Sequence, residues 1–257
     1  KTHDEDELPI VAPPSDEEWE RRKLLSEYRS LKCQRTKEIN KLHAIFEHNG
    51  YTQFVRKDMR SEKNRANILP LLKGYEKEEA ERLVERLNLL EKQIERLLQK
   101  INAEVENDGK IQKVMTVPGI GPITALAYVA YVGDVNRFDN AHQVSNFIGF
   151  VPKVDNSCTI CRSGHTTKKG NPLLRSLLVQ AAWSTVKSKN GGALRDKYKY
   201  MADSRCIGKG KSIVTIARKL GELLYLILKT DQEYKPQKFI TPELKISKLA
   251  EDALECS

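Results

Sequence analysis

Between residues 80 and 101 the apolar side chains fall at Ala80, Leu83, Leu87, Leu90, Ile94, Leu97 and Ile101, alternating steps of three and four, with Glu, Lys, Arg and Gln filling most positions between. That spacing predicts a helix with one narrow apolar seam, the pattern of a coiled coil over three heptads. A looser version of the same periodicity runs through Trp19, Leu24, Tyr28, Leu31, Ile39, Leu42 and Phe46. Ser15 followed by Asp16, Glu17 and Glu18 is an N-cap with first-turn acids, and Asn49-Gly50 is a stop signal. The simplest arrangement is a pair of long antiparallel helices, 16–48 and about 76–106, which can also pair between chains. Residues 1–15 hold three prolines and read as an extended lead-in. Residues 51–74 read as an irregular helical connection broken by Pro70 and Gly74.

Past Asn107-Asp108-Gly109 the pattern shortens. An apolar segment from Ile111 leads into Val117-Pro118-Gly119-Ile120-Gly121-Pro122, and a small-residue apolar helix follows over 124–132. This is a helix-hairpin-helix pattern. Glycines at 119 and 121 permit close approach of a sugar-phosphate backbone, and the second helix offers free N–H groups to a phosphate. The same turn also serves as a plain corner between helices. Further helices are expected over 141–148, 172–187, 194–201 and 213–228, with 206–212 as a flexible basic link and 231–257 as a polar tail holding a short amphipathic piece over 241–254. No alternating strand pattern and no internal repeat stand out. The expected fold class is all-α: long antiparallel coiled-coil helices followed by a compact helical domain. The expected division is 1–15 lead-in, 16–108 coiled-coil region, 109–230 compact domain and 231–257 tail.

Charge changes the picture. The 257 residues carry a net charge of +9, and it is concentrated. Residues 153–219 hold 15 basic and 3 acidic side chains, net +12, whereas residues 1–110 are net −1. A field focused in one block attracts polyanions, nucleic acid foremost. There is no run of eighteen apolar residues, so no membrane span is expected. There is no signal-peptide pattern, and a chain opening at Lys1 is expected to lack its start. Five cysteines, an odd number, point to a reducing compartment.

The basic block opens in a long polar segment, 152–171, between apolar flanks. It carries Ser157, with Arg162, Lys168, Lys169 and Arg175 after it and Gly164 and Gly170 interleaved. A hydroxyl nucleophile among fixed cations and glycine-freed amides suits attack on a phosphodiester; a basic surface loop is the plainer reading. Cys158, Cys161 and His165 suggest zinc, but no second cysteine pair lies nearby to complete four ligands. Cys206 to Ser212 is no phosphate-binding P-loop, because Arg205 stands where the first glycine belongs.

Taken in order, VPGIGPITA, GDVNRFDNA, SNFIGFVP, Ser157, GHTTKKGNPLLRSLLVQAAW and GKGKSIVTIARKL resemble the C-terminal half of the IS110/IS116/IS902 family of bacterial transposases. Gly149, Pro152, Ser157, Gly164, Thr167, Lys168, Gly170, Asn171, Leu174 and Arg175 fall at that family's offsets, while Cys158 stands where glycine is usual and Thr166 where isoleucine is usual. The resemblance implies a DNA recombinase with a two-part site. Ser157 matches the serine expected to form a covalent link to a DNA phosphate. The other part is an N-terminal RuvC-like domain holding carboxylates and a divalent metal such as magnesium. Most of that domain is expected to be missing here, with Asp6 matching one of its acids as a catalytic and metal-binding residue. No metal is expected on this chain alone. Gly119, Gly121, Arg162, Lys168, Lys169, Arg175, Lys209 and Lys211 are the expected DNA contacts. The resemblance also implies oligomers and a structured guide RNA, in the bacterial cytoplasm. The rival readings are a non-catalytic nucleic-acid-binding module and an inactive transposase remnant.

Overall fold

A computed structural model describes residues 13–157, 160–167, 169–205 and 207–234; for residues 152–165 only the backbone pairing is described. Among the described residues the chain is helical apart from one two-stranded hairpin, so the all-α class holds. By its own contacts it divides into two compact units, one formed by residues 23–103 and the other by the residues on either side, up to 22 and from 104.

The first unit is built on α1 (Asp16–His48) and α3 (Gly74–Asn107), with the short α2 (Glu62–Ile68) between them. Arg35 pairs with Glu91 at 2.9 Å, and three residues further along α1 Glu38 pairs with Arg86 at 3.6 Å. The partner number falls as the α1 number rises, so the helices run antiparallel. The expected seam is inside: Ala80, Leu83, Leu87, Ile94, Leu97 and Ile101 are buried. Ala80, Leu83 and Leu87 join Ile39, Leu42, Phe46, Met59, Ile68 and Leu72 in one core. At the closed end the Phe46 ring meets Tyr51 and Phe54 edge-on at 6.0 and 5.7 Å. Arg65 is 1% exposed. Its guanidinium donates to the carbonyls of Met59 and Arg60, to Asn88 Oδ1 and to Glu91. A buried cation is tolerable only with partners of this kind. Burial opposes ionisation of Glu91, but hydrogen bonds from Arg65 and Arg35 outweigh it and hold the carboxyl below its usual range.

The second unit gathers α4 (Gly109–Met115), α5 (Pro122–Val132), α6 (Ala141–Ile148), α7 (Pro172–Lys187), α8 (Gly192–Lys199) and α9 (Lys209–Thr230). The start of α1 belongs to it. There Ser15 and Glu18 cap each other reciprocally, Ser15 Oγ accepting from Glu18 N and Glu18 from Ser15 N, the S-x-x-E box that fixes a helix start. Arg21 reaches Glu104 at 3.1 Å and Asp108 at 2.8 Å. α9 is the central rod: Ile213, Ile216, Ala217, Leu220, Leu224 and Ile227 are all buried. α5 is buried on nearly every side, as its uniform small apolar sequence requires. Its Tyr128 hydroxyl donates to the Gly221 carbonyl at 2.6 Å, and burial pushes that phenol well above its ordinary range.

Two expectations need correction. The polar segment after Phe150 is not a plain loop. β1 (Pro152–Ser157) and β2 (Ile160–Thr166) pair antiparallel, with Ser157 opposite Ile160, Asp155 opposite Arg162, Val154 opposite Ser163 and a bulge near Pro152. These strands lack apolar alternation, the signal by which a strand announces itself. The segment 206–212 is not a link throughout: α9 begins at Lys209. The N–H groups of Lys211 and Ser212 donate to the Gly208 carbonyl, and Ser212 is fully buried with its hydroxyl on the Ile207 carbonyl. The pieces over 1–12 and 241–254 lie outside the described residues.

Candidate functional site

The hairpin rises from a built base. α6 ends at Ile148 with Gly149 in the left-handed region (φ 85°), its N–H on the Asn146 carbonyl and the Phe150 N–H on the Ser145 carbonyl. That is a Schellman stop, and glycine is the residue that adopts it without strain. The returning strand is tied by the Thr167 N–H to the Val151 carbonyl at 2.9 Å. The chain then passes α6 so closely that a Cβ on Gly170 would stand 2.2 Å from the Phe147 oxygen and 2.4 Å from Ile148 backbone atoms. Arg175 locks the crossing: its Nη1 donates to the Ile148 carbonyl at 3.1 Å and to the Gly170 carbonyl. The first of these satisfies a carbonyl that the end of α6 leaves free. Burial lowers the Arg175 pKa. Asn171 caps α7, its Oδ1 accepting from Leu173 and Leu174 N–H at 2.8 and 3.1 Å, with Pro172 at the first position.

Ser157 ends β1, at the hairpin turn. Arg162 is on the opposing strand, opposite Asp155. Lys169 is exposed at the base, and Arg175 is fixed there. Ser157 lies five residue steps along β1 from Pro152, roughly 17 Å of chain at about 3.3 Å per residue. The sequence-expected cations are therefore split between the turn end and the base. Lys168, Cys158 and Asp6 lie outside the described residues, as do the side chains of Cys161 and His165. Among the described residues no three His, Cys, Asp or Glu side chains converge as a metal site would require.

The two turn glycines differ. Gly119 has φ 92°, and a Cβ there would stand 2.4 to 2.8 Å from Thr185 and Ala181 of α7. Thr185 Oγ1 also donates to the Pro118 carbonyl at 2.7 Å. That side of the turn is occupied by the protein itself. Gly121 has open space around it. Lys209 and Lys211 are exposed on the first turn of α9. Sequence reasoning missed a further group beside the hairpin base. Arg137 lies over both the Phe138 and Phe147 rings, at 4.6 and 4.7 Å, while its Nη2 donates to the Val132 carbonyl. Phe147 remains 39% exposed. The adjacent Arg137-Phe138 pair was the available signal.

Residues 111–199, from α4 through the hairpin to the end of α8, match the model of the Transposase IS116/IS110/IS902 family. In that segment the chain is similar to the IS116/IS110/IS902 transposases. It is 37% identical over 105 residues to a probable family 20 transposase of Pseudomonas aeruginosa, covering 41% of this chain and 31% of that protein. It is 27% identical over 137 residues to the transposase for insertion sequence element IS1111A of Coxiella burnetii, covering 53% and 38%. It is 28% identical over 236 residues to the putative transposase y4rJ of Sinorhizobium fredii, covering 82% and 58%. The chain thus spans between about a third and three fifths of the length of these three relatives. The family segment contains the whole base of the hairpin and Ser157; α9, with Lys209 and Lys211, follows it. No helix among the described residues is long and apolar enough to cross a membrane.

Proposed function

We propose that this chain is the serine-bearing part of an insertion-sequence transposase that breaks and rejoins DNA through Ser157. The observation that carries the reading is the position of Ser157 at the turn of a hairpin pinned at both ends, inside the segment that matches the family. In the proposed step the Ser157 hydroxyl oxygen bonds to a backbone phosphorus, and one P–O bond of the strand breaks. The serine proton ends on the departing strand hydroxyl, and the other strand end stays attached as a phosphoserine ester. Attack by a second strand's hydroxyl reverses the chemistry and joins new ends. Arg162, Lys168 and Lys169 are the cations that follow Ser157 toward the hairpin base and face the developing charge. Arg175 acts from the base as a positioning residue. A divalent ion held by carboxylates that include Asp6 belongs to the same reading. Among the described residues no three His, Cys, Asp or Glu side chains lie together to hold it.

DNA reaches the serine across the basic block, with Gly121 and the N-terminus of α5 as a phosphate contact. A structured guide RNA and self-association of the long helices complete the reading. The α3 seam is already covered within the chain, so a second copy meets the outer face of α3, where Leu89 and Tyr75 are exposed. The decisive experiment mixes the complete gene product with end-labelled element DNA and looks for a denaturation-resistant protein–DNA adduct. Ser157→Ala abolishes it, and Ser157→Cys retains a weaker one. An adduct that survives in Ser157→Ala overturns the assignment. Binding without adduct or strand transfer in the unaltered protein favours the non-catalytic module, the reading that suits an Arg175 already committed to the base.

A further inference from the structure

Between residues 187 and 211 there are eight Lys or Arg and two Asp, and two cations lie over aromatic rings. Lys187 sits over Trp183 at 5.8 Å, and Trp183 meets Tyr198 edge-on at 5.8 Å. Arg205 sits over Tyr200 at 5.8 Å, and the Tyr200 ring is 38% exposed. The second pair depends on an unusual piece of backbone. α8 widens into a π-helical turn, Tyr200–Ser204, closed by the Arg205 N–H on the Tyr200 carbonyl at 3.1 Å. In an α-helix, residues five apart point about 140° away from each other, since each residue turns about 100°. The wider turn, with its hydrogen bond five residues back, brings position 205 round to position 200. Such turns cost regular hydrogen bonding and recur at functional sites. Here the turn builds an exposed ring with a guanidinium over it, and Lys199, Lys209 and Lys211 are exposed in the adjoining segments.

We propose that Tyr200 and Arg205 form a stacking platform for an unpaired base of a nucleic-acid strand, with its phosphates running along the neighbouring lysines. An aromatic face beside a guanidinium binds bases of any identity, and fixed cations track the backbone. A duplex, whose bases are already stacked, has nothing to offer the ring. The surface therefore selects single-stranded over paired nucleic acid. The proposal rests on the reading that this chain handles nucleic-acid strands. It is independent of Ser157, because it concerns binding alone and starts at Tyr200, directly after α8.

The test is fluorescence anisotropy of the full chain with a labelled 20-nucleotide oligothymidylate and with a duplex of equal length, over a range of salt. Tyr200→Ala weakens single-strand binding about five- to a hundred-fold, the range for loss of one stacked base, and leaves duplex binding within about two-fold. Tyr200→Phe retains binding. Lys211→Gln lowers the single-strand salt slope by about 0.7, as loss of one phosphate-neutralising cation does. Circular dichroism and melting of each variant confirm an intact fold. Single-strand affinity unchanged in Tyr200→Ala overturns the platform, as does an equal loss on both ligands. If Tyr200→Ala instead changes the sedimentation coefficient with no effect on oligonucleotide, the ring is a protein contact and the proposal fails. Loss of the serine assignment shows in the adduct assay and loss of the platform in single-strand affinity, so the two failures are read separately.

Discussion

Replacing Gly170 by alanine is the sharpest perturbation of the hairpin base. The added Cβ would stand 2.2 Å from the Phe147 oxygen and 2.4 Å from the Ile148 carbon and oxygen, where real Cβ atoms stay beyond 3.0 Å. All three obstacles are backbone, so no side chain can rotate away. α6 and the start of α7 must separate by about 0.8 Å, which stretches the two bonds that Arg175 makes across the gap. Overpacking of this kind costs about 1–3 kcal/mol, before any loss of the Arg175 contacts. In a chain of this length that corresponds to a fall in melting temperature of roughly 2–12 °C. The loss is local to the hairpin's attachment. Gly170→Ala is therefore expected to form the Ser157–DNA adduct at least ten-fold more slowly while binding single-stranded oligonucleotide normally. Differential scanning calorimetry and the adduct assay, run side by side, check both halves. A variant that melts within one degree of the parent and forms adduct at the parental rate would show that the crossing is looser than its distances state.

Four further expectations follow from the same structure. Gly119→Ala, facing Thr185 and Ala181 at 2.4 to 2.8 Å with φ 92°, destabilises by about 2 kcal/mol or more, whereas Gly121→Ala, in open space, stays within about 0.5 kcal/mol and alters only DNA affinity; paired urea melts and gel shifts separate them. Asn171→Ala removes the acceptor for two α7 N–H groups and costs about 0.5–2 kcal/mol, measured by urea titration. Arg65→Met breaks a buried ion pair for about 3 kcal/mol, the low end for such breaks because Glu91 keeps Arg35 and is partly exposed. The Glu91 carboxyl lies below its usual range, so its contribution is complete above the ordinary carboxylate pKa and disappears as pH falls through the lower folded value; the stability gap between parent and Glu91→Gln is expected to close on acidification, followed by amide exchange in α3.

The helices were legible wherever apolar side chains recur at helical spacing. The bounds of α6 and α7 coincide with the expected ones because Asn140, Pro172 and the glycine and basic stops write them explicitly. The seam from Ala80 to Ile101 was legible for the same reason. The hairpin was not, since β1 and β2 carry Lys153, Asp155, Asn156, Arg162 and His165 where an alternating strand would show apolar residues; its evidence lies in backbone pairing, which composition does not encode. The start of α9 was hidden by Gly208 and Gly210, which suggest a link, while one buried hydroxyl, that of Ser212, favours the helix. Arg175 was legible as a cation near Ser157 in sequence, but its spatial task, two carbonyls across a chain crossing, could not be read from spacing.

That last case bears on what the family motif encodes. Gly149, Gly170, Asn171 and Arg175 all belong to the residues that carry the family resemblance, and each has a structural duty at the base: a left-handed stop, a close backbone crossing, a helix cap and a brace. Gly119 has the same character, filled in by α7. What the base holds up is the hairpin of β1 and β2. The proposed chemistry, at Ser157, and the scaffold therefore fall on different residues of one motif. A base residue is constrained by atoms 2 to 3 Å away, and altering it moves stability and activity together. On the proposed reading Ser157 is set apart from that scaffold, and altering it is expected to move activity alone. A scan from Lys153 to Arg162 that lowered melting temperature as much as Gly170→Ala would contradict this division, and with it the view that the hairpin serves a ligand.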